Sequence, residues 1–328
     1  MQAIRLHAFG PADNLIYEEA ADPVPGPGQV RIAVRAAGVH LVDTMIRAGT
    51  VGGPFAEPEL PTIPGREVAG VVDALGEGVE ESWLGRRVVA HLGLVPGGYA
   101  ELAVRDVAAV HEVPDGVDFG EAVAMIGTGR TTMGILEVAG LVEGDVAVVT
   151  AAAGGIGALL VQAGRNAGAT VVALAGGPAK VAKARELGAD HAFDYTRPGW
   201  QDTVRQALAG LTATVALDGV GGEAGRFAMD LLRPGGRLLL FGSSDVAGGQ
   251  VEITTDLLYE RGLTVAVPFG PRLMKRPGGI RELEEWALSA AGSGALRPIV
   301  HEFPLKDAAQ AHAALENRQT MGKVVLVP

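Results

Sequence analysis

Hydrophobic and polar positions along this chain follow two different rhythms. Up to about residue 110, apolar residues alternate with polar ones in short runs at 3–6, 30–37, 68–74, 87–90 and 99–104. A period of two is the mark of half-buried strands, so this stretch reads as an all-β unit. Pro23, Pro25 and Pro27, and four prolines between 54 and 64, set loops between the runs, because proline fixes φ and cannot donate to a ladder. From about residue 120 the rhythm changes. Strand-like runs at 146–150, 170–174, 192–194, 215–217, 237–241 and 264–267 are mostly separated by segments whose apolar residues recur every three or four positions, at 158–166, 180–187, 201–208 and 224–232. Six strands wound in this way predict an α/β fold with a doubly wound parallel sheet. Beyond about 270 the alternation stops. Helices are predicted at 280–291 and 306–315 and a last strand at 324–327, a tail able to return to the first unit.

Composition then narrows the function classes. The 328 residues suffice for two domains with separate cores. Glycine contributes 48 of them without a three-residue period, which predicts tight turns and close backbone approaches and excludes collagen. Cysteine is absent. That removes disulfides, thiolate zinc sites, iron–sulfur clusters and cysteine nucleophiles together. A net charge of −11 repels phosphate backbones, so no nucleic-acid partner is expected. Residues 146–164 carry no charge, but Thr150 and the glycines at 154, 155, 157 and 164 fit a strand, turn and helix better than a membrane span. No apolar leader stands at 1–10, so the expectation is a cytoplasmic protein with no membrane partner.

The strongest chemical signal is Val146-Ala-Val-Val-Thr-Ala-Ala-Ala-Gly-Gly-Ile-Gly157, a strand entering a glycine turn and then a helix. Ala152, Gly154 and Gly157 take the three small positions of a dinucleotide fingerprint, with Gly155 and Ile156 between them. The helix that follows would aim its N-terminus at a pyrophosphate. An NAD site places an acid at the end of the second strand, on the ribose 2′-hydroxyl. Here the segment is Leu174-Ala-Gly-Gly-Pro-Ala-Lys180, and the first acid after the glycine turn is Glu186. Arg165, Lys180, Lys183 and Arg185 surround the region, so a 2′-phosphate would meet cations, and the expected cofactor is NADPH.

Several segments jointly resemble the zinc-independent quinone oxidoreductases, the zeta-crystallin-like branch of the medium-chain dehydrogenase/reductase superfamily. They are Ala37-Gly-Val-His-Leu-Val-Asp-Thr-Met-Ile-Arg-Ala-Gly49, Pro64-Gly-Arg-Glu-Val-Ala-Gly-Val-Val72, Gly97-Gly-Tyr-Ala-Glu101, the glycine turn, Gly188-Ala-Asp190, Pro304-Leu-Lys-Asp-Ala-Ala-Gln-Ala-His312 and Gly322-Lys323. The resemblance covers nearly the whole chain. It implies a GroES-like, mainly-β catalytic domain at 1–120 with 268–328, a Rossmann domain at 121–267, an active site in the cleft and a homodimer joined along the 262–267 edge. It also implies roles by position: Lys180 and Arg318 on the 2′-phosphate, Gly176 in place of a small polar residue there, and Tyr195 near the adenosine phosphate. Thr131 would meet the nicotinamide carboxamide, and Val220, Phe241 and Ser243 would line the nicotinamide side.

Departures from the pattern matter as much. Gly65-Arg66-Glu67 stands where zinc members carry Gly-His-Glu, and a guanidinium cannot ligate a metal, so no metal is expected. His40 and Met45 replace the asparagine and tyrosine usual in this branch. His40 could hydrogen-bond or protonate a carbonyl, since histidine titrates near working pH, and Met45 offers an adaptable apolar wall. No tyrosine stands near Thr50 or Phe55. A quinone needs little acid catalysis, which makes metal-free, NADPH-dependent quinone reduction the first expectation. Reduction of an α,β-unsaturated carbonyl or enoyl thioester is the alternative enzyme reading, and an NADPH-binding structural or regulatory protein the non-enzymatic one.

Overall fold

The computed structural model describes residues 1–50, 58–93, 95, 97–244 and 248–328. Pro54 and Phe55 therefore lie outside the described residues. The chain forms two compact units, 1–128 with 287–293 and 298–328, and 129–286 with 294–297. Residues 268–286 thus cluster with the inner unit, whereas the sequence division at 268 assigned them to the outer one.

In the first unit the elements are β1 (Gln2–Leu6), β2 (Leu15–Glu19), β3 (Gln29–Val39), α1 (Leu41–Ala48), β4 (Glu67–Leu75), β5 (Arg87–His91), β6 (Leu102–Asp106), β7 (Val110–Glu112) and α2 (Phe119–Ala124). A π-helical turn at Met125–Gly129 leads into α3 (Arg130–Ala139). The inner unit continues with β8 (Val146–Val149), α4 (Gly155–Asn166), β9 (Thr170–Ala175), α5 (Pro178–Glu186), β10 (His191–Asp194), α6 (Trp200–Ala207), β11 (Ala213–Asp218), α7 (Gly222–Asp230), β12 (Leu232–Leu240), α8 (Thr255–Arg261), β13 (Thr264–Ala266) and α9 (Pro271–Met274). The tail adds α10 (Gly279–Gly292), β14 (Val300–Pro304), α11 (Ala308–Glu316) and β15 (Lys323–Val327).

The six inner strands are all parallel, in the order β10-β9-β8-β11-β12-β13. That is the doubly wound order, with its switch point between β8 and β11. Strands buried on both faces need continuous apolar runs, and β8 and β9 supply them with Val146, Val148, Val149, Val171, Val172 and Leu174, all buried. One expected helix, 224–232, runs too far. Leu232 already begins β12, and the Arg233-Pro234-Gly235 that follows it cannot extend a helix.

The outer unit is built on a seven-stranded sheet, six strands in the order β14-β15-β3-β4-β5-β7 and a seventh, β6, also paired to β3. The tail strand β15 lies antiparallel to β3, Val325 opposite Gly38, so the chain's return completes this sheet. The unit is not purely β. α1 starts directly after β3, where the alternating pattern ends, and Asp43 accepts the His40 amide at 2.8 Å to cap it. Its stop is Gly49 at φ 70°. Among the described residues no helix is long and apolar enough to cross a membrane.

Candidate active site

Two groups of polar and glycine-lined positions stand out, one in each unit. The first lies at the switch point of the parallel sheet, the place where open α/β sheets bind ligands. Thr150 directly follows β8 and Asp218 ends β11, and the Thr150 hydroxyl donates to Asp218 Oδ1 at 2.6 Å with both side chains fully buried. Asp218 in turn accepts the amides of Val220 and Gly221, at 3.0 and 3.1 Å, and so holds the loop after β11. Phe241 packs against Gly219, so closely that a Cβ there would strike its ring.

Between Thr150 and α4 the glycine turn has the shape the sequence predicted. A Cβ on Gly157 would collide with the carbonyl of Ala151, and Ala151 itself takes φ 48°. The helix and turn can close on each other only because Gly157 has no side chain. Gly154 stands at the N-cap of α4 without a capping side chain. The first amides of α4, those of Gly155, Ile156 and Gly157, are therefore not capped by a side chain from that position, as an anion site at a helix N-terminus requires. This cradle fits a dinucleotide pyrophosphate.

At the end of β9, Gly176 lies against Tyr195, whose hydroxyl and ring carbons would stand about 3.1–3.3 Å from a Cβ on that glycine. Tyr195 packs on Trp200 with ring centroids 6.4 Å apart. Lys180 follows on the first turn of α5, half-buried. The cations around it divide. Lys183 pairs with Glu186 at 2.6 Å and Arg185 donates to the Ala192 carbonyl at 3.0 Å. The sequence reading overlooked one acid here, Asp194 at the end of β10. Its Oδ1 accepts the Gly177 amide at 2.8 Å and the Thr196 hydroxyl at 2.6 Å. Burial opposes its ionisation, but the Thr196 hydroxyl and the two amides outweigh this and hold its carboxyl below the usual range. Asp194 is thus committed to shaping the turn.

Of the remaining inner residues, Thr131 lies on α3, Ser243 follows β12 and is exposed, and Val220 is buried in the core, so its backbone is what it could offer a ligand. Arg318 belongs to the outer unit, exposed at φ 56° after α11. Arg276, one of three basic residues near 275, is taken by Glu137 and Glu282 at 3.1 and 2.6 Å.

The second group lies in the outer unit and centres on Glu67, fully buried on β4. One carboxylate oxygen lies 2.6 Å from His40 Nε2, the other 2.7 Å from Lys323 Nζ. Two glycines make room for this carboxylate, Gly38 of β3 and Gly127 of the π turn, since a Cβ on either would overlap it. Burial favours the neutral acid, but His40 and Lys323 outweigh it and hold Glu67 well below the usual carboxylate range. Burial likewise draws Lys323 down, with Glu67 opposing. Beside them, Arg66 meets Asp43 at 3.3 Å, and the buried Tyr99 hydroxyl lies 3.3 Å from Asp43 and 3.1 Å from His312 Nε2. Met45 is exposed on α1.

Sequence reasoning named His40 but missed Glu67 and Lys323 as its partners. A charged residue opening each of two apolar runs, Glu67-Val-Ala and Lys323-Val-Val, was the available signal. The donor set does not suit a zinc ion. Both oxygens of Glu67 already face cationic or imidazole nitrogens, and Arg66 stands where an imidazole would be needed. Among the described residues no three His, Asp or Glu side chains converge as a metal site.

Comparison with known proteins agrees with this construction. The family model for the alcohol dehydrogenase GroES-like domain matches residues 26–115, and that for zinc-binding dehydrogenases matches residues 155–287. The chain is 31% identical over 332 residues to a 2-haloacrylate reductase of a Burkholderia species, covering 100% of this chain and 99% of that one. It is 30% identical over 328 residues to a quinone oxidoreductase of Pseudomonas aeruginosa, covering 99% of each. The crystal structure of Escherichia coli quinone oxidoreductase complexed with NADPH matches with a TM-score of 0.86 at 26% identity, over 100% of both chains. Matched along its whole length in sequence and in fold, with a Rossmann-type sheet and a GroES-like unit, the chain belongs to the quinone oxidoreductase family of the medium-chain dehydrogenase/reductase superfamily.

Proposed function

We propose that this protein is an NADPH-dependent, metal-free reductase of electron-poor conjugated carbonyl compounds, with quinones as its principal acceptors. The observation that carries the reading is the cradle at the switch point, where Gly157 is locked against the Ala151 carbonyl and the N-terminus of α4 has no capping side chain. Gly154, Gly155, Ile156 and Gly157 would bind the pyrophosphate. Lys180 and Arg318 would take the 2′-phosphate, with Gly176 and Tyr195 forming the adenosine side. Thr131, Val220, Phe241 and Ser243 would hold the nicotinamide end. When bound, the cofactor supplies the hydride equivalent that reduces the acceptor. The chain's own contribution is orientation, and Met45 and His40 are the outer-unit residues we assign to the acceptor.

A second reading has its own support. His40 held against a buried carboxylate is equipped to handle a proton, which a quinone scarcely needs and an α,β-unsaturated carbonyl does. The family includes reductases of both kinds of acceptor. A cytoplasmic homodimer completes the proposal, joined along the 262–267 edge at β13, the end strand of the sheet, with Val267 exposed just after it.

The test is NADPH and NADH consumption by the purified protein, offered quinones beside an enone and an enoyl thioester. NADPH-dependent turnover of quinones is expected. Lys180→Gln should raise the KM for NADPH about tenfold, the loss of one charged phosphate contact, and leave that for NADH unchanged. Preference for NADH in the wild type would overturn the phosphate assignment. Silence with every acceptor would leave a non-catalytic, NADPH-binding protein.

A further inference from the structure

We propose that Asp194 is a positioning residue for the 2′-phosphate end of NADPH, fixing the Gly176-Gly177 turn so that Lys180 and Tyr195 discriminate NADPH from NADH. The inference rests on the cofactor reading above and deepens it.

The turn after β9 cannot hold itself. Gly176 and Gly177 have no side chains, and successive glycines lose more backbone freedom on ordering than any other pair. Gly177 takes φ 93°, in the region that favours glycine, and stands at the N-cap of α5 without a capping side chain. Support comes instead from the end of β10, in three contacts on three successive residues. The Tyr195 amide donates to the Ala175 carbonyl at 3.1 Å, the Tyr195 ring and hydroxyl lie against Gly176, and Asp194 Oδ1 accepts the Gly177 amide at 2.8 Å. The Gly177 carbonyl in turn accepts the Val181 amide at 3.1 Å, in the first turn of α5. Held at both its amide and its carbonyl, Gly177 decides where α5 begins, and so where Lys180, three residues on, leaves the helix.

Asp194 is well anchored for this task. Its Oδ1 also accepts the Thr196 amide and hydroxyl, at 3.0 and 2.6 Å, its Oδ2 lies 3.6 Å from Arg197 Nε, and only a tenth of the side chain is exposed. An acid at the end of β9 would accept a ribose hydroxyl and repel a 2′-phosphate. Asp194 stands one strand over, with its charge facing two amides, a hydroxyl and a guanidinium. The same residue type that selects NADH from the second strand is therefore placed to favour NADPH from the third. A turn that merely joined β9 to α5 has no use for a phenol at Gly176. Yet a Cβ there would stand 3.1 Å from the Tyr195 hydroxyl, so the polar atom at this place comes from Tyr195. Releasing Gly177 would loosen Gly176 and Lys180 together.

The test is dinucleotide binding, read by cofactor fluorescence without any acceptor, and then turnover. Wild type should bind NADPH more tightly than NADH. Asp194→Ala should weaken NADPH about tenfold, the loss of one charge-assisted hydrogen bond, and NADH by no more than about twofold. Asp194→Asn keeps an oxygen for the Gly177 amide and should stay within about threefold of wild type. Asp194→Glu keeps the charge but carries it one methylene away from that amide, and should lose as much as Asp194→Ala. At saturating NADPH, kcat should not move in any of the three, while KM for NADPH follows the binding. Should Asp194→Ala fail to fold, the contrast between Asp194→Asn and Asp194→Glu decides. Equal weakening of NADPH and NADH, an Asp194→Asn that falls as far as Asp194→Ala, or unchanged NADPH binding in Asp194→Ala and Asp194→Glu would overturn the proposal. A wild type that binds NADH as well as NADPH would sink the 2′-phosphate reading and the proposal with it, an outcome the wild-type measurement separates from a failure confined to the variants.

Discussion

The two polar centres are built on opposite principles. Around Glu67 the outer unit concentrates charge where water is scarce, with carboxylate, ammonium, imidazole and guanidinium within a few residues' reach. At the β8–β11 switch point the inner unit works by omission, with glycines in place of side chains and a neutral hydroxyl on a buried carboxylate. The first must be strong wherever one member is removed, because an unpaired buried charge has no solvent to fall back on. The second must be sensitive to added atoms. One site is broken by subtraction, the other by addition.

The largest effect follows from subtraction. Glu67→Ala leaves Lys323 buried without its partner and should cost about 3–5 kcal/mol of stability, read from urea unfolding. Glu67→Leu with Lys323→Met removes both charges together and should recover most of that loss. Equal losses in the single and double variants would mean the pair is not what Glu67 contributes.

Acid sharpens the same contrast. Burial lowers the His312 ring from 6.5 to about 4, Asp43 only partly opposing. Between those values the unfolded chain binds the proton and the folded chain does not, so stability falls as pH falls through that window. The slope is about 1.4 kcal/mol per unit and the total about 3 kcal/mol. Glu67, whose folded value lies below the usual 4.5, adds its loss only beneath that. Urea midpoints at pH 7, 6 and 5 should decline, and His312→Gln, which keeps a polar partner for Tyr99, should flatten the decline.

Addition gives the smallest effect. Gly157→Ala sets a methyl against the Ala151 carbonyl and should cost about 1–3 kcal/mol by overpacking. Calorimetry should show this as a lower Tm, together with weaker NADPH binding. A variant that binds NADPH normally would remove the cradle from the cofactor site.

Much of this was legible in the chain itself. The six inner strands and their helices follow the apolar runs closely, because a sheet covered on both faces leaves an unbroken signature. The glycine turn was equally plain. Shorter elements were not. β2, β7 and β14 have only three to five residues each, β2 and β7 mix buried with exposed positions and β14 has none buried, so no alternation stands out. α1 was hidden inside a motif read for its chemistry. The Glu67 site was legible only in part. Gly65-Arg66-Glu67 told what was missing from a zinc site, but what Glu67 does depends on Lys323, which sequence spacing cannot bring near. Only the register of β15 on β3, Val325 opposite Gly38, places the two together. Asp194 was invisible for a related reason, since it reaches Gly177 from the neighbouring strand.

The strand that completes the charged cluster has a consequence for biosynthesis. Lys323 leaves the ribosome 323 − 67 = 256 residues after Glu67. At ordinary translation speeds of roughly 5–20 residues per second, that is a delay of about 13 to 51 seconds. Through that interval β4 carries an acid destined for the interior whose counter-ion has not been made. The inner unit is translated entirely within the gap. Newborn chains should therefore acquire protease resistance from the middle outward, the first-made strands settling last.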